Sequence, residues 1–444
     1  MSFNATVFNC KNRLLRPNAI HFFRNFCREE HLSPEARQLL ILRRLQSLLT
    51  DAYENTVFYH RKYDEAGVHP SDIKSIADFE KLPPVSKDEV REFRDDFIRR
   101  GTPEKYLLAA TTGGSTGVPL KVFHDKRLPT DTIAWWLLRK WGAEMGDNVG
   151  YIYRHRSTQH ALSQLLWFPT RRAFLDVCDI TPESCDAFYR QCQKNNIIYI
   201  CGYVGAVNEF ANWLDARQLK LPSLRFVWTT SAPLPNSIRC FMEGAFDCPV
   251  FSQYGCCEIF WLGAECPNKE GLHYFDTIRH LEVVNDNFSG KLDGEEGEIL
   301  LTDLLNHLFP LIRYRNGDRG AKSAKCCSCG SGFPLIAPIK GRVTEVFELE
   351  DGAVVAGDFL TTIFDQESET VRGFQVVQKP DRSILLRCIP CNEHATERIE
   401  FVRKNLEQRL APHHTAVRVE ITDHIAHDRG KQRFVVCECA SGLS

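Results

Sequence analysis

The sequence predicts an α/β fold: a large N-terminal domain with mainly parallel sheets and flanking helices, then a small mobile α+β C-terminal domain. Three observations carry this prediction. Short β-rich apolar runs alternate with helical patterns over residues 149–252, strands and turns take over from about Glu282, and a strand–strand–helix–strand–strand order follows Gly341. The alternation implies crossover connections, hence strands running the same way with ligand loops at their carboxyl ends.

The elements follow in chain order. Leu39, Leu42, Leu45, Leu49 and Ala52 recur at helical spacing, so the stretch from Pro34 to Gly67 holds one or two amphipathic helices that Gly67 ends. Apolar runs at 149–153, 173–177, 197–201, 224–230 and 249–252 read as strands, with helices at 182–194, 204–217 and 235–246 between them. A strand at 297–302 belongs to the turn-rich part. Strands at 373–379 and 382–388, a helix at 394–409, and strands at 416–422 and 433–438 make the small domain. The expected division is therefore 1–341, the large domain, and 342–444, the small C-terminal one.

At 444 residues and 43% hydrophobic, the chain can bury a large core and build more than one domain. The net charge of −2, from 55 basic and 57 acidic residues, supplies no global field toward nucleic acid or anionic membrane. A polyanion must then be caught locally, and no nucleic-acid partner is expected. The apolar run at 133–138 falls far short of the roughly 20 residues of a membrane span. Eighteen cysteines in a large chain without an export signal point to reduced or metal-bound thiols, and so to a cytoplasmic protein.

Chemistry enters at Thr111-Thr112-Gly113-Gly114-Ser115-Thr116-Gly117-Val118-Pro119-Leu120. Glycines allow close backbone approach, successive N–H groups can converge on an anion, and hydroxyls add donors, so this run suits a polyphosphate. It is not a Walker loop, which needs Gly-Lys-Ser/Thr opening a helix, whereas Gly117 is followed by Val118 and Pro119. Further segments stand downstream in order. They are Thr229-Thr230-Ser231-Ala232-Pro233-Leu234, Gln253-Tyr254-Gly255-Cys256-Cys257-Glu258, Tyr314-Arg315-Asn316-Gly317-Asp318, Gly341-Arg342, and Gly430-Lys431-Gln432-Arg433.

Together these segments resemble the ordered core motifs of the adenylate-forming superfamily, which comprises acyl-CoA synthetases, nonribosomal adenylation domains and luciferases. The nearest resemblance is to its phenylacetate-CoA ligase and CapK-like branch, and it runs from about residue 40 to the C-terminus. It implies ATP-dependent conversion of a carboxylate to acyl-AMP with release of pyrophosphate, then acyl transfer to coenzyme A. Relatives that join the acid to an amine, and a zinc-stabilised scaffold without turnover, are the alternatives. The chemistry is coherent: a carboxylate has no usable leaving group until ATP makes it an anhydride. The charge concentrated at the α-phosphate then calls for Mg²⁺ and fixed donors.

The resemblance assigns Thr112, Gly114, Ser115, Thr116 and Gly117 to the pyrophosphate end of ATP, and Ser231, Ala232 and Pro233 to the adenine. Tyr254, flanked by Gln253 and Gly255, would stack on the base. Glu258 would ligate Mg²⁺, Asp318 would accept both ribose hydroxyls, and Arg342 would touch the nucleotide beside the hinge. Lys431 would be carried into the site on closure of the small domain and act, with Glu258, in adenylation. One departure stands out: Cys257 occupies the position before the magnesium Glu, where Thr or Ser is usual. Others are Val343-Thr344-Glu345 at the hinge and Arg429 before Gly430.

A separate constellation pairs Cys266 and His273, seven apart, with Cys327 and Cys329. Two short clusters of N/S ligands suit tetrahedral Zn²⁺, and similar placements hold a structural zinc in the resembled branch. Cys326 competes for the second cluster. Trp135, Trp136, Tyr203 and Tyr254 point to an aromatic or apolar pocket for a small-molecule acid, although Trp135 and Trp136 lie on a predicted helix where core packing is the alternative.

Overall fold

The computed structural model describes residues 3–111, 120–153, 167–177, 179–339, 341–342, 346–351, 354–356, 360, 363–364, 370–425 and 433–439. Its contacts gather Met1–Phe8, Trp141–Ser252 and Lys340–Ser444 into one compact unit, and Asn9–Lys140 with Gln253–Ile339 into a second. This grouping cuts the chain differently from a single break at 341.

Helices come first: α1 (Phe3–Leu15), α2 (Pro17–Glu29), α3 (Pro34–Asn55), α4 (Val57–Ala66) and α5 (Lys87–Glu92). The hairpin β1 (Leu107–Thr111) and β2 (Lys121–Asp125) precedes α6 (Ile133–Lys140). An alternating stretch follows: β3 (Val149–Tyr153), β4 (Arg172–Asp176), α7 (Pro182–Asn195), β5 (Tyr199–Tyr203), α8 (Val204–Asp215), β6 (Phe226–Thr230), α9 (Asn236–Phe246) and β7 (Val250–Tyr254). Then come β8 (Gly263–Glu265), β9 (Leu272–Tyr274), β10 (Arg279–Val284), β11 (Gly297–Asp303), β12 (Tyr314–Gly320), β13 (Lys322–Ser323), β14 (Leu335–Ile336) and β15 (Gly341–Arg342). The chain ends with β16 (Val346–Glu348), β17 (Val354–Ala356), β18 (Val371–Gln378), β19 (Ile384–Pro390), α10 (Ala395–Leu410), β20 (Val417–Ile421) and β21 (Val435–Cys437).

In the first unit, β4, β3, β5, β6 and β7 pair in that order, all parallel, as the alternation requires. Helix α7 shows why boundaries were readable: Thr181 caps it reciprocally with Ser184, Pro182 stands in its first turn, and left-handed Asn196 ends it. Gly202 is obligatory in β5, because a Cβ there would lie 2.7 Å from the Ile152 carbonyl oxygen of β3. The C-terminal sheet runs β20-β19-β18-β21, with α10 packed on β19 and β20. Strand β18 also rests on α8 and α9, so Phe210, Ile238, Met242 and Phe246 share one apolar cluster with Phe374, Val376 and Phe434. Asn208 of α8 donates its amide to the Arg372 carbonyl at 2.8 Å within this contact. That shared burial is why residues 340–444 group with 141–252.

In the second unit, Ser33 caps α3, Thr56 caps α4, and Gly67 closes α4 at φ 64°, as its position foretells. Strands β10, β11 and β12 form an antiparallel set. The last two residues of β7, Gln253 and Tyr254, pair antiparallel with β8, which continues through β9 and β14 to β13. Helices α1 and α2, before Pro34, have no counterpart in the sequence reading. Phe23 and Phe26 of α2 meet Trp135 and Trp136 of α6 edge-on, so these two tryptophans serve the core.

Candidate active site and metal centre

Two polar clusters of the second unit converge on β12. Its Tyr314, Asn316 and Asp318 alternate with Arg315 and Gly317, and strand periodicity sends them to one side. The Tyr254 hydroxyl donates to Asp318 Oδ2 at 2.7 Å. Asn316, buried, donates through Nδ2 to the Tyr254 hydroxyl at 2.9 Å and to Asp318 Oδ2 at 2.5 Å, and its Oδ1 accepts the Asp318 N–H at 3.1 Å. Burial first, then the Asp318 charge, pushes the Tyr254 phenol well above its ordinary pKa, so it remains a proton donor at neutral pH. An aromatic ring is thereby locked beside a carboxylate.

Glu258, 6% exposed, sits in the turn after β7 and accepts the Tyr314 hydroxyl through Oε1 at 2.8 Å. The turn is held from several sides. Ile259 N–H points at Cys256 Sγ at 3.3 Å, and Arg279 of β10 donates Nε to the Phe260 carbonyl at 3.0 Å while pairing with Asp303 at 2.5 Å. His124 of β2 donates Nε2–H to the Cys257 carbonyl at 2.8 Å, and its ring stacks on Phe260 at 4.2 Å. Desolvation lowers the His124 pKa, and the carbonyl partner identifies Nε2 as the protonated nitrogen. A Cβ at Gly255 would lie 2.9 Å from Gln253 Nε2 and 3.3 Å from the Trp261 backbone nitrogen, so a larger residue there would have to displace the Gln253 side chain.

Of the other predicted residues, Ser231 follows β6 in the first unit with φ 76°, a left-handed conformation uncommon outside glycine. Ala232 and Leu234 pack against the apolar cluster of that unit. Arg342 lies in β15. Thr112, Gly114, Ser115, Thr116, Gly117 and Lys431 lie outside the described residues, as do Val343, Thr344, Glu345 and Arg429. Sequence reasoning quoted Tyr314 and Asn316 without giving them a task, and passed over His124 and Arg279. The period-two spacing of Tyr314, Asn316 and Asp318 was the signal that could have found the first pair.

The four metal-ligand candidates do meet. One ligand atom from each of Cys266, His273, Cys327 and Cys329 lies within 4.8 Å of the others, the one such cluster among the described residues. Cys266 follows β8, His273 is central in β9, and the two other cysteines share a turn in which Gly330 adopts φ 77°. Cys266 Sγ is 3.5 Å from Cys327 Sγ, and Cys329 Sγ is 3.3 Å from His273 Nε2. His273 Nδ1 donates to the Phe333 carbonyl at 2.8 Å, which aims Nε2 into the cluster. Tetrahedral Zn²⁺ with Zn–S of about 2.3 Å needs sulfur separations of about 3.8 Å, so the donor set and its spacing fit zinc. Burial pushes the Cys327 thiol up to about 12 and raises that of Cys266, so both hold their protons at neutral pH unless a cation displaces them. Cys326 is exposed and stands outside the cluster.

No family model matches the chain. Over 303 residues it is 28% identical to phenylacetate-coenzyme A ligase of Aromatoleum evansii, covering 65% of this chain and 67% of that protein. It is 22% identical to Protein CapK of Staphylococcus aureus, covering 60% of this chain and 58% of that one. The crystal structure of 2-hydroxyisobutyryl-CoA ligase in the postadenylation state, in complex with 2-HIB-AMP, superposes with a TM-score of 0.76 at 21% identity, covering 93% of this chain and 92% of that one. The fold is therefore that of the adenylate-forming CoA ligases. In sequence the chain is similar to phenylacetate-coenzyme A ligases and to Protein CapK.

Proposed function

We propose that this protein is a cytoplasmic, ATP-dependent acid–thiol ligase. A carboxylate oxygen of a small acid attacks the α-phosphorus of ATP, the new O–P bond forms as the bond to pyrophosphate breaks, and acyl-AMP results. The thiol of coenzyme A then attacks the acyl carbonyl, loses its proton and expels AMP. The observation that carries the reading is the Tyr254–Asn316–Asp318 cluster beside the Tyr314–Glu258 pair, all in one unit. Tyr254 offers a face for the adenine with its hydroxyl fixed by Asp318, and Asp318 offers the acceptor that a ribose diol needs.

The buried Glu258 carboxylate is a hard oxygen donor and fits Mg²⁺, which when bound neutralises charge on the phosphates. Thr112, Gly114, Ser115, Thr116 and Gly117 are assigned to the pyrophosphate end, Ser231, Ala232 and Pro233 to the adenine, and Arg342 to the nucleotide. Lys431 is assigned to the carboxylate and α-phosphate, delivered by a lid of residues 342–444. Zinc on Cys266, His273, Cys327 and Cys329 is assigned a structural task, tying the turn after β8 to residues 327–329. For the acid we favour an aromatic or apolar carboxylate, since half-buried Tyr203 meets Tyr153 edge-on at 4.9 Å and Tyr151 stacks on Phe174 at 5.4 Å in the first unit.

Exchange of labelled pyrophosphate into ATP, assayed across aliphatic and aromatic acids with Lys431→Ala alongside, tests the reading. Acid-dependent exchange that Lys431→Ala abolishes is expected. Silence across a broad panel with ATP still bound would favour a scaffold without turnover, and product analysis with coenzyme A or an amine present identifies the acceptor.

A further inference from the structure

We propose that His124 is a positioning residue that sets the magnesium-binding geometry of Glu258, an inference resting on the ligase reading above. Three observations of the second unit lead to it. His124 reaches from β2 to the backbone of the residue just before Glu258, with Nε2–H on the Cys257 carbonyl at 2.8 Å. Its ring lies flat on Phe260, two residues beyond Glu258, at 4.2 Å between centroids and 21° between planes. One imidazole thus grips the turn on both sides of the carboxylate, while Tyr314 holds the carboxylate itself at 2.8 Å. Third, β2 is the strand to which the chain returns after the glycine-rich segment, with Thr111 paired to Lys121. His124 lies three residues past that register point, so the hairpin flanking the proposed phosphate segment is bonded directly to the proposed metal turn.

The physical consequence is preorganisation. A carboxylate that must meet both a cation and a phosphate-bound cation shell cannot wander by an ångström without losing much of its effect. Arg279 also holds the turn, from β10 through the Phe260 carbonyl at 3.0 Å, but Arg279 is also committed to Asp303, whereas His124 is given to the turn. The contacts of His124 to the Cys257 carbonyl and the Phe260 ring assign it a positioning role exerted through the turn.

The test compares His124→Gln, which keeps an N–H near the Nε2 position, with His124→Met, which keeps reach and bulk but has no donor. Two readouts are taken: deuterium exchange of amides 256–262 in the metal-free protein, and Mn²⁺ binding by electron paramagnetic resonance with a non-hydrolysable ATP analogue. Pyrophosphate exchange supplies the Michaelis constants. Leaving the half-buried Cys257 carbonyl without its donor is expected to weaken Mn²⁺ binding about tenfold in the Met variant and speed exchange of the turn. The Gln variant should stay within about threefold of wild type, and the KM for the acid should change less than twofold in both. Equal behaviour of Met and wild type, or equal losses in Met and Gln, overturns the assignment while wild-type pyrophosphate exchange leaves the ligase reading standing. A wild type that exchanges no pyrophosphate with any acid overturns both.

Discussion

Tyr254→Phe isolates the bond that ties the aromatic ring to Asp318. The substitution keeps the ring and its buried volume and deletes only the hydroxyl, which donates to Asp318 Oδ2 at 2.7 Å and accepts from Asn316 Nδ2 at 2.9 Å. A hydrogen bond to an ionised partner is worth about 1.5–3 kcal/mol, and the neutral bond from Asn316 adds about 1 kcal/mol. Asn316 can still donate to Asp318, so part is recovered, and a net cost of about 2 kcal/mol follows. That corresponds to roughly thirtyfold in an equilibrium constant. Urea unfolding of the metal-loaded protein should show the loss in stability, and the KM for ATP should rise as Asp318 loses its fixed orientation. A double-mutant cycle with Asp318→Asn separates the pair from its surroundings and should give a coupling of about 1–2 kcal/mol. A Phe variant matching wild type in midpoint and in ATP KM, or a coupling near zero, would refute the claim that this bond organises the nucleotide side.

Other outcomes are expected. Exhaustive chelation should release about one zinc per chain and lower the melting temperature, while Cys327→Ser should yield metal-free protein by atomic absorption. Because burial raises the Cys327 and Cys266 thiol pKa values, binding must expel protons, so zinc affinity should fall as pH falls. Arg37→Met should cost about 3–5 kcal/mol in urea unfolding, since Arg37 pairs with buried Asp276 at 2.8 Å and takes the Glu29 and Glu30 carbonyls at the end of α2 at 3.0 Å. Burial lowers the His280 pKa to about 3 from 6.5, so the unfolded chain takes its proton first and stability should fall as pH drops below 6.5. His280→Leu should therefore gain about 2 kcal/mol on wild type between pH 7 and pH 5 in urea titrations.

Reading from sequence worked where one local rule decided the outcome. The expected strand at 149–153 matches β3, and the start of α7 follows from Thr181 and Pro182. Those of β5 and β7 were displaced by two residues or fewer, because apolar runs do not say which end the ladder extends. Helix α2 was missed because its apolar residues complete a face only against α6, a partner far along the chain. In the site, Glu258 and Asp318 were legible as members of ordered motifs. His124, Asn316 and Arg279 were not, because each acts on a backbone carbonyl or a neighbouring side chain that only folding brings near. The cysteines were legible as two pairs, and the choice of Cys327 over Cys326 came down to which way a turn faces.

The bond from Asn208 to Arg372 and the oily contact around it have a practical meaning for anyone cutting this gene. The tail is no detachable accessory: ending the polypeptide at 341 would strip Phe210, Ile238, Met242 and Phe246 of the partners that cover them. Such a shortened product should clump on expression, and supplying residues 342–444 as a separate chain should restore its solubility.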